Sequence, residues 1–381
     1  MPNGHLRKWR DANGLAALWD YTRSVLFIHD DSIPELLDAQ DVTSYHPLLI
    51  QPDGIVVPDG ELLGGRFGEY LSNHIRLPSR IYSAHSPSIS ALRNVLLGAL
   101  SPRQINEINE CCDSTSVFHS DRADVQRNFN FIPPILETQS ADAVNLQNRI
   151  NARKALTKAR IPTPKGREVE SYLELIAFCQ AYDFPVAIRT KKSTTFVRDE
   201  SECLRQFGQE SDFPIWVERW CPTLYSPNAQ VIVRGKECFD LFVSRQILKS
   251  TTYQGNCIGD IPQRVVSRCL ELTRKFADSL CDYNGIIGID FIVTTDESIL
   301  AVDVNARFNS STIPYWWLLT ANATESATVA SLVQTSAASI ELNALATTQS
   351  SRRAKQSELL FSPITNVERG RAVGYHKLMW R

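Results

Sequence analysis

The chain has 381 residues, 43% of them hydrophobic and 22% charged, with 40 basic against 42 acidic side chains and a net charge of −2. That length supports two or three units of ordinary domain size and a sizeable core. The balance of charge gives no whole-chain basic footprint for nucleic acid, and no apolar run approaches the roughly 20 residues that span a bilayer.

Nine cysteines stand singly except for Cys111-Cys112, and no CxxC pair occurs. An odd count without paired spacing argues against a disulfide framework or a structural zinc site, and for buried thiols in a reducing compartment. The opening stretch "MPNGHLRKWRDANG" lacks the apolar core of a signal peptide. A cytoplasmic protein is the expectation, with neither nucleic acid nor membrane as partner.

In chain order, the first 145 residues read as α/β. "SVLFIHDD" (24–31) predicts a short buried strand, "LLIQPDGIVVPDG" (48–60) a hairpin with Asp-Gly turns, and "SPSISALRNVLLGAL" (86–100) a capped helix. A second helix (101–112) and a strand (116–120) follow, and the alternation suggests a small doubly wound sheet. Gly64, Gly65 and Gly68 lack the spacing of a phosphate loop and read as a turn.

The basic segment 145–166 predicts a helix stopped by Ile161-Pro162-Thr163-Pro164. A helix (171–182), the strand "FPVAIRT" (184–190), a polar loop "KKSTTFVRDES", a helix near 201–209 and the strand "FPIWVERW" (213–220) come next. Beyond Cys221 the pattern turns antiparallel. A hairpin is expected over 228–248, turning at Arg234-Gly235, then a long amphipathic helix (262–283) with apolar positions near a 3.6 period. A second hairpin joins 285–294 to 299–308, and a polar tail precedes two more strands near 358–378.

That second hairpin carries the strongest chemical signal. Side chains alternate along a strand, so Asp303, Asn305 and Arg307 share one face. A turn centred on 296–297 places Asp290 almost opposite Asp303. Two carboxylates so close repel, and a hard cation such as Mg²⁺, held by oxygen ligands, relieves the repulsion. Arg307 is a candidate for a phosphate or acyl-phosphate oxygen. Arg189 lies mid-strand among apolar residues, where a charge usually has a partner. Lys191, Lys192, Ser193, Thr194 and Thr195 follow it; taken alone, each of these cations is equally consistent with solvation or with phosphate binding.

Together these residues resemble the ATP-grasp ligases over 145 to about 320. The resemblance runs through Arg149, eleven positions before Arg160-Ile161-Pro162-Thr163-Pro164, then Phe184-Pro185-Val186-Ala187-Ile188-Arg189 and Val217-Glu218-Arg219-Trp220, and it is most specific over 285–307. It implies an ATP-grasp fold, two α+β lobes clasping ATP, behind a small Rossmann-like α/β domain. The expected bounds are 1–145 for the preceding domain, 146–221 for the small lobe and hinge, and 222–381 for the large lobe.

By position, the resemblance implies that Asp290, Asp303 and Asn305 hold two Mg²⁺ ions, with Mn²⁺ as a substitute, and that Arg307 steadies the γ-phosphate or acyl phosphate. Arg149 and Arg189 stand where the family has two phosphate-holding lysines. Glu218 with Arg219, Trp220 and Cys221 matches the adenine hinge, and 191–196 the flap over the phosphates. The flap has no glycine, and Arg160 stands where glycine is usual. The implied reaction is ATP-dependent joining of a carboxylate to an amine through an acyl phosphate, releasing ADP.

The run "FNSSTIP" after Arg307 resembles enzymes that join amino acids or peptides in natural-product pathways. Asn309, Ser310, Ser311 and Thr312 are candidates for a substrate carboxylate, with a Ser/Thr helix cap as the alternative. Arg245 is a second candidate. A carboxylase-type or purine-pathway ligase and a non-catalytic nucleotide-binding module remain open as other readings, and a homodimer, common in this superfamily, is the expected assembly.

Overall fold

The computed structural model describes residues 25–29, 54–57, 69, 72–73, 80–83 and 100–118, and the strands over 329–341, 358–364 and 371–380. It also describes 145–315 except for 147, 192, 210–212, 250–251, 260, 282, 310 and 313–314. The expected helix over 86–100, its last residue Leu100 excepted, and the glycines near 64–68 lie outside the described residues.

The elements in order are strands β1 (Val25–His29), β2 (Gly54–Val57) and β3 (Arg80–Ser83), helix α1 (Pro102–Cys111) and strand β4 (Ser114–Phe118). Then come helix α2 (Arg149–Lys158), strand β5 (Gly166–Val169), helix α3 (Tyr172–Tyr182), and strands β6 (Val186–Arg189) and β7 (Thr194–Val197). Helix α4 (Glu200–Phe207) leads to strands β8 (Ile215–Arg219), β9 (Thr223–Arg234), β10 (Glu237–Lys249) and β11 (Thr252–Ile258). Helix α5 (Gln263–Ala277) precedes strands β12 (Gly285–Thr294), β13 (Ile299–Asn305), β14 (Val329–Glu341), β15 (Glu358–Ile364) and β16 (Arg371–Trp380).

Two compact units result. One comprises residues 1–138, 253–260 and 307–381; the other comprises 139–252 and 261–306. The division groups the residues differently from the three consecutive segments read from sequence.

In the first unit, β1 to β4 form a parallel sheet in the order β3-β2-β1-β4. The hairpin expected over 48–60 is therefore corrected: Gly54–Val57 is a parallel strand between two others. Its apolar run Ile55-Val56-Val57 fits a strand covered on both faces better than one side of a hairpin. Helix α1 opens on a reciprocal cap, Ser101 Oγ accepting from the Gln104 N–H and Gln104 Oε1 accepting from the Ser101 N–H. The same unit holds β14, antiparallel to β11 and to β16, with β15 along the other edge of β16. β11 and β14 have no counterpart in the sequence reading.

The second unit contains two antiparallel sheets. The smaller runs β5-β8-β6-β7. Val186, Ile188, Ile215 and Val217 turn one face toward α3 and α4 and pack with Leu175, Phe178, Cys203 and Phe207. The stretch expected as a polar loop after Arg189 contains β7. Thr194-Thr195-Phe196-Val197 is β-branched and aromatic, which suits a strand, and Arg189 pairs with Thr194 around a tight turn.

The larger sheet of this unit runs β13-β12-β9-β10. Ala229, Val231, Val243, Ile287, Ile289, Phe291, Ala301 and Val304 bury one face against α5 (Val265, Cys269, Leu272, Phe276) and α2 (Ala152, Leu156). Helix α2 starts on Asn148, whose side chain accepts from the N–H groups of Ile150 and Asn151. It ends at Arg160 with φ 55, the left-handed position that glycine adopts without steric cost. The arginine found there instead is thus a strained helix end rather than a neutral exchange.

A candidate nucleotide and metal site

Strand alternation decides which groups meet. On the larger sheet, Asp290 pairs across with Asp303 on one side and with Asn228 on the other, and Asn228 pairs with Ser244. These residues occupy the face opposite the apolar core. Gly288, Asn305, Gln230, Ser226 and Gln246, two positions away along their strands, belong to the same face.

The pairing of the two aspartates depends on a β-bulge. Val293 faces Ile299, Ile292 faces Leu300 and Phe291 faces Ala301, a register that would set Asp290 against Val302. The irregularity between Asp290 and Phe291 inserts one residue and brings Asp303 opposite Asp290. Bulges re-aim side chains in this way next to functional sites.

Amides surround Asp290. Its Oδ1 accepts from Asn228 Nδ2 (2.6 Å) and Gln246 Nε2 (3.0 Å), and its Oδ2 accepts from Asn305 Nδ2 (3.3 Å). Gln230 Nε2 donates to Asn228 Oδ1 at 2.8 Å and fixes which amide atom of Asn228 faces the carboxylate. Asp303 takes a cation instead: Arg149 Nη1 lies 2.6 Å from its Oδ2, while its Oδ1 accepts from the Val304 N–H.

The smaller sheet contributes the other charges. Ala187, Arg189, Trp216 and Glu218 lie on the face turned away from its core, with Arg189 opposite Trp216 and Ala187 opposite Glu218. Glu218 is only 2% exposed. Its Oε1 accepts from Arg189 Nε (3.0 Å) and Nη2 (2.8 Å), and its Oε2 accepts from Arg153 Nη2. Arg153, one turn beyond Arg149 on α2, also donates Nη1 to the Ala301 carbonyl at 2.6 Å. Arg189 reaches Thr194 Oγ1 at 3.1 Å.

Burial pushes the Arg153 guanidinium down, against the pull of Glu218. Burial also lowers Arg189, but Glu218, Asp303 and Asp290 outweigh it and raise Arg189 above its ordinary value. The two aspartates are therefore close enough to be felt by both sheets' charges.

Other expected residues are placed as follows. Glu218 is spent on two arginines rather than presented as a free hinge group. The N–H groups of Arg219 and Trp220 bond to the carbonyls of Lys165 (2.8 Å) and Pro185 (3.4 Å), and the Trp220 ring meets Phe196 edge-on at 4.5 Å. The Cys221 thiol contacts the Arg219 carbonyl. Lys191 is exposed and its carbonyl accepts the Arg149 N–H. Ser193 closes the turn with Thr190 through side chain and backbone. Lys192 and Ser310 lie outside the described residues.

Two calls change. Arg245 pairs with Pro227, between Val243 opposite Ala229 and the Ser226–Gln246 pair. Alternation therefore puts it on the apolar side of the sheet, turned away from Asp290, because Ser244 and Gln246 take the polar face. Strand β13 ends at Asn305 and the chain bends through Ala306 and Arg307, so Arg307 does not continue the strand face. It falls in the first unit, donating to the Phe308 carbonyl. Asn309 and Thr312 there are buried and bond each other: the Asn309 N–H donates to Thr312 Oγ1 and the Thr312 N–H to the Asn309 carbonyl, each 2.9 Å. Ser311 is 2% exposed and its carbonyl accepts the Tyr315 N–H. The segment thus has the hydrogen bonding of a helix start.

Arg153, Asn228, Gln230, Ser244 and Gln246 are absent from the sequence-based set. The amides were detectable as period-two polar positions, Ser226-x-Asn228-x-Gln230 and Ser244-x-Gln246, inside apolar strands.

The donor set fits a hard dication. Two carboxylates and one amide side chain on a single face offer oxygen ligands, leaving further positions for water and substrate oxygens, as Mg²⁺ prefers. Among the described residues no group of three or more His, Cys, Asp or Glu is placed to hold a metal ion, so the amide oxygen, water and substrate would have to complete the ligand set.

Two antiparallel sheets, one carrying the buried Arg189–Glu218 pair and the other a carboxylate–amide face, make an α+β fold of the ATP-grasp class. Residues 193–311 match the family model of the ATP-grasp domain. Multifunctional protein pyr-3 of Neurospora crassa is 22% identical over 179 residues, 43% of this chain and 10% of that protein, so the match spans a tenth of the relative's length. Among solved structures, the ADP complex of purK, an N5-carboxyaminoimidazole ribonucleotide synthetase, has a TM-score of 0.61 at 12% identity, covering 94% of this chain and 92% of its own. The Aspergillus clavatus N5-carboxyaminoimidazole synthase with ADP and 5-aminoimidazole ribonucleotide gives 0.58 at 14% identity (86% and 93%). The biotin carboxylase–β,γ-ATP complex from Campylobacter jejuni gives 0.60 at 11% identity (94% and 87%). At these identities the likeness is one of fold.

Proposed function

We propose that the protein is an ATP-dependent ligase that joins a carboxylate to an amine and releases ADP and phosphate, with amino acids or a peptide as substrates. The observation that carries this reading is Asp290 set opposite Asp303 across a bulge, within electrostatic reach of Arg189, and with Arg149 on Asp303. Asp290, Asp303 and Asn305 would hold Mg²⁺, which when bound neutralises phosphate charge and polarises the transferred phosphoryl group.

The chain's own residues supply the rest. Arg149 and Arg189 present guanidinium donors suited to phosphate oxygens. Glu218 and Thr194 hold Arg189 in one orientation, so little side-chain freedom is lost on binding. The amides of Asn228, Gln246 and Asn305 fix both oxygens of Asp290 before a cation arrives. No protein nucleophile is required, because the acyl group is activated on the substrate.

The test is ADP release from ATP and Mg²⁺ with mixtures of amino acids. Release that needs an amino acid pair supports the reading. A second reading, a bicarbonate-dependent ligase, draws support from the carboxyaminoimidazole synthetase and biotin carboxylase likenesses; release stimulated by bicarbonate and not by amino acids would replace the first reading with it. Asp303→Asn should lower either turnover by at least about a hundredfold, the scale of losing one preorganised electrostatic group, and undiminished turnover would sink the metal assignment.

A further inference from the structure

We infer that Arg153 is a positioning residue that sets the charge Arg189 offers to a phosphate-bearing ligand, by occupying one oxygen of Glu218. The inference rests on the nucleotide reading above and adds a residue to it. The Arg153 side chain is 1% exposed, so it acts through a neighbour rather than on a ligand. Its Nε is buried without a hydrogen-bond partner, a cost that a methionine or leucine at this core-facing helix position would avoid. What the guanidinium gains is Glu218 Oε2, with the Ala301 carbonyl as a second anchor.

The charge count follows. Arg153, Arg189 and Glu218 together carry +1. Arg189 shares only Oε1, through Nε and Nη2, and keeps further N–H donors. With Arg153 removed, both Glu218 oxygens become available to Arg189. The fork-to-fork pairing that guanidinium and carboxylate favour would then close, leaving a neutral pair where a phosphate needs a cation. Arg153 also spans the unit: it ties β8 of the smaller sheet to Ala301, two residues before Asp303 on the larger one.

The test compares ADP and adenosine binding by calorimetry on the full chain at fixed ionic strength. Wild type should prefer ADP. Arg153→Met should lower that preference at least tenfold while leaving adenosine affinity within about threefold. The double variant Arg153→Met/Glu218→Gln restores the +1 and should recover the preference to within threefold; Arg153→Lys should keep it. A purely structural role predicts equal loss for ADP and adenosine and no rescue by Glu218→Gln, and either result overturns the inference. If Arg153→Met does not fold, the double variant decides: ADP preference near wild type supports the inference, and a tenfold loss overturns it. A wild type with no preference for ADP over adenosine overturns the nucleotide reading and this inference with it.

Discussion

Glu218→Gln is the substitution for which the structure gives the firmest magnitude. The carboxylate is the shared anion between two guanidiniums whose side chains are 1% and 6% exposed. Gln keeps the volume but turns an NH₂ toward one arginine and removes the carboxylate that both of them bond. Deleting one partner of a buried ion pair costs about 3–5 kcal/mol, because the remaining charge is stranded. At about 2–4 °C per kcal/mol for a cooperative unit of this size, the melting temperature should fall by about 6–20 °C. Circular dichroism on heating reads this directly. Adding Arg153→Met should recover part of the loss, since one guanidinium fewer is left unpaired and neighbouring changes are not additive. A shift below about 2 °C for the single variant would show that water or another group compensates these arginines, and the anchoring argument would fail.

Gly166 faces Glu218 across β5 and β8, and a Cβ there would lie 2.6 Å from the Val217 carbonyl and 2.7 Å from Glu218 Cβ. Gly166→Ala should therefore destabilise by about 1–3 kcal/mol by overpacking, readable as a lower urea midpoint; an unchanged midpoint would refute the close approach. Arg160→Gly relieves a left-handed φ of 55 and should raise stability by about 0.5–1 kcal/mol, with a lower melting temperature contradicting the helix-end assignment. Burial raises the Cys269 thiol from 9.0 to about 12. The fold holds this proton more tightly than the unfolded chain does, so stability is intact below pH 9 and is lost between pH 9 and 12. Cys269→Ala should flatten that alkaline loss in urea titrations at pH 8 and pH 11, and parallel slopes for both proteins would exclude the thiol as its source.

What sequence could reveal followed local periodicity. Helices α2 to α5 and the hairpin β12–β13 were legible because caps, prolines and alternation act over a few residues. The pairing of Asp290 with Asp303 was approached from the turn position, but the device that achieves it, an extra residue at the bulge, leaves no compositional mark. Glu218 was legible as important, but its partners were not. Its partners sit 65 and 29 positions away, and nothing local says that a glutamate on a strand will face two arginines. Arg153 shows the same limit: on a basic helix it resembles its solvated neighbours Lys154 and Lys158 until the packing of α2 buries it. The side of the sheet that Arg245 takes was illegible for a different reason. Strand phase had to be known to say which side it takes, and the irregularity between Asp240 and Phe242 shifts that phase within β10.

The charges of the second unit's site balance without any ligand. Arg149, Arg153 and Arg189 stand against Asp290, Asp303 and Glu218, and each carboxylate already has donors. A triphosphate alone would tip this cluster negative, and a dication alone would compete with Arg149 for Asp303 across a 2.6 Å contact. A triphosphate with two dications would leave the balance unchanged. On the proposed reading, phosphate oxygens would give Arg149 a replacement for the carboxylate, and the freed carboxylate would give the cation a ligand. By linkage, nucleotide and metal must then raise each other's affinity by the same factor. On that reading the arginine–aspartate pair would make the two ligands bind as one, and Arg149→Met should loosen that coupling by letting Mn²⁺ bind, in an equilibrium titration without nucleotide, more tightly than it binds the wild type.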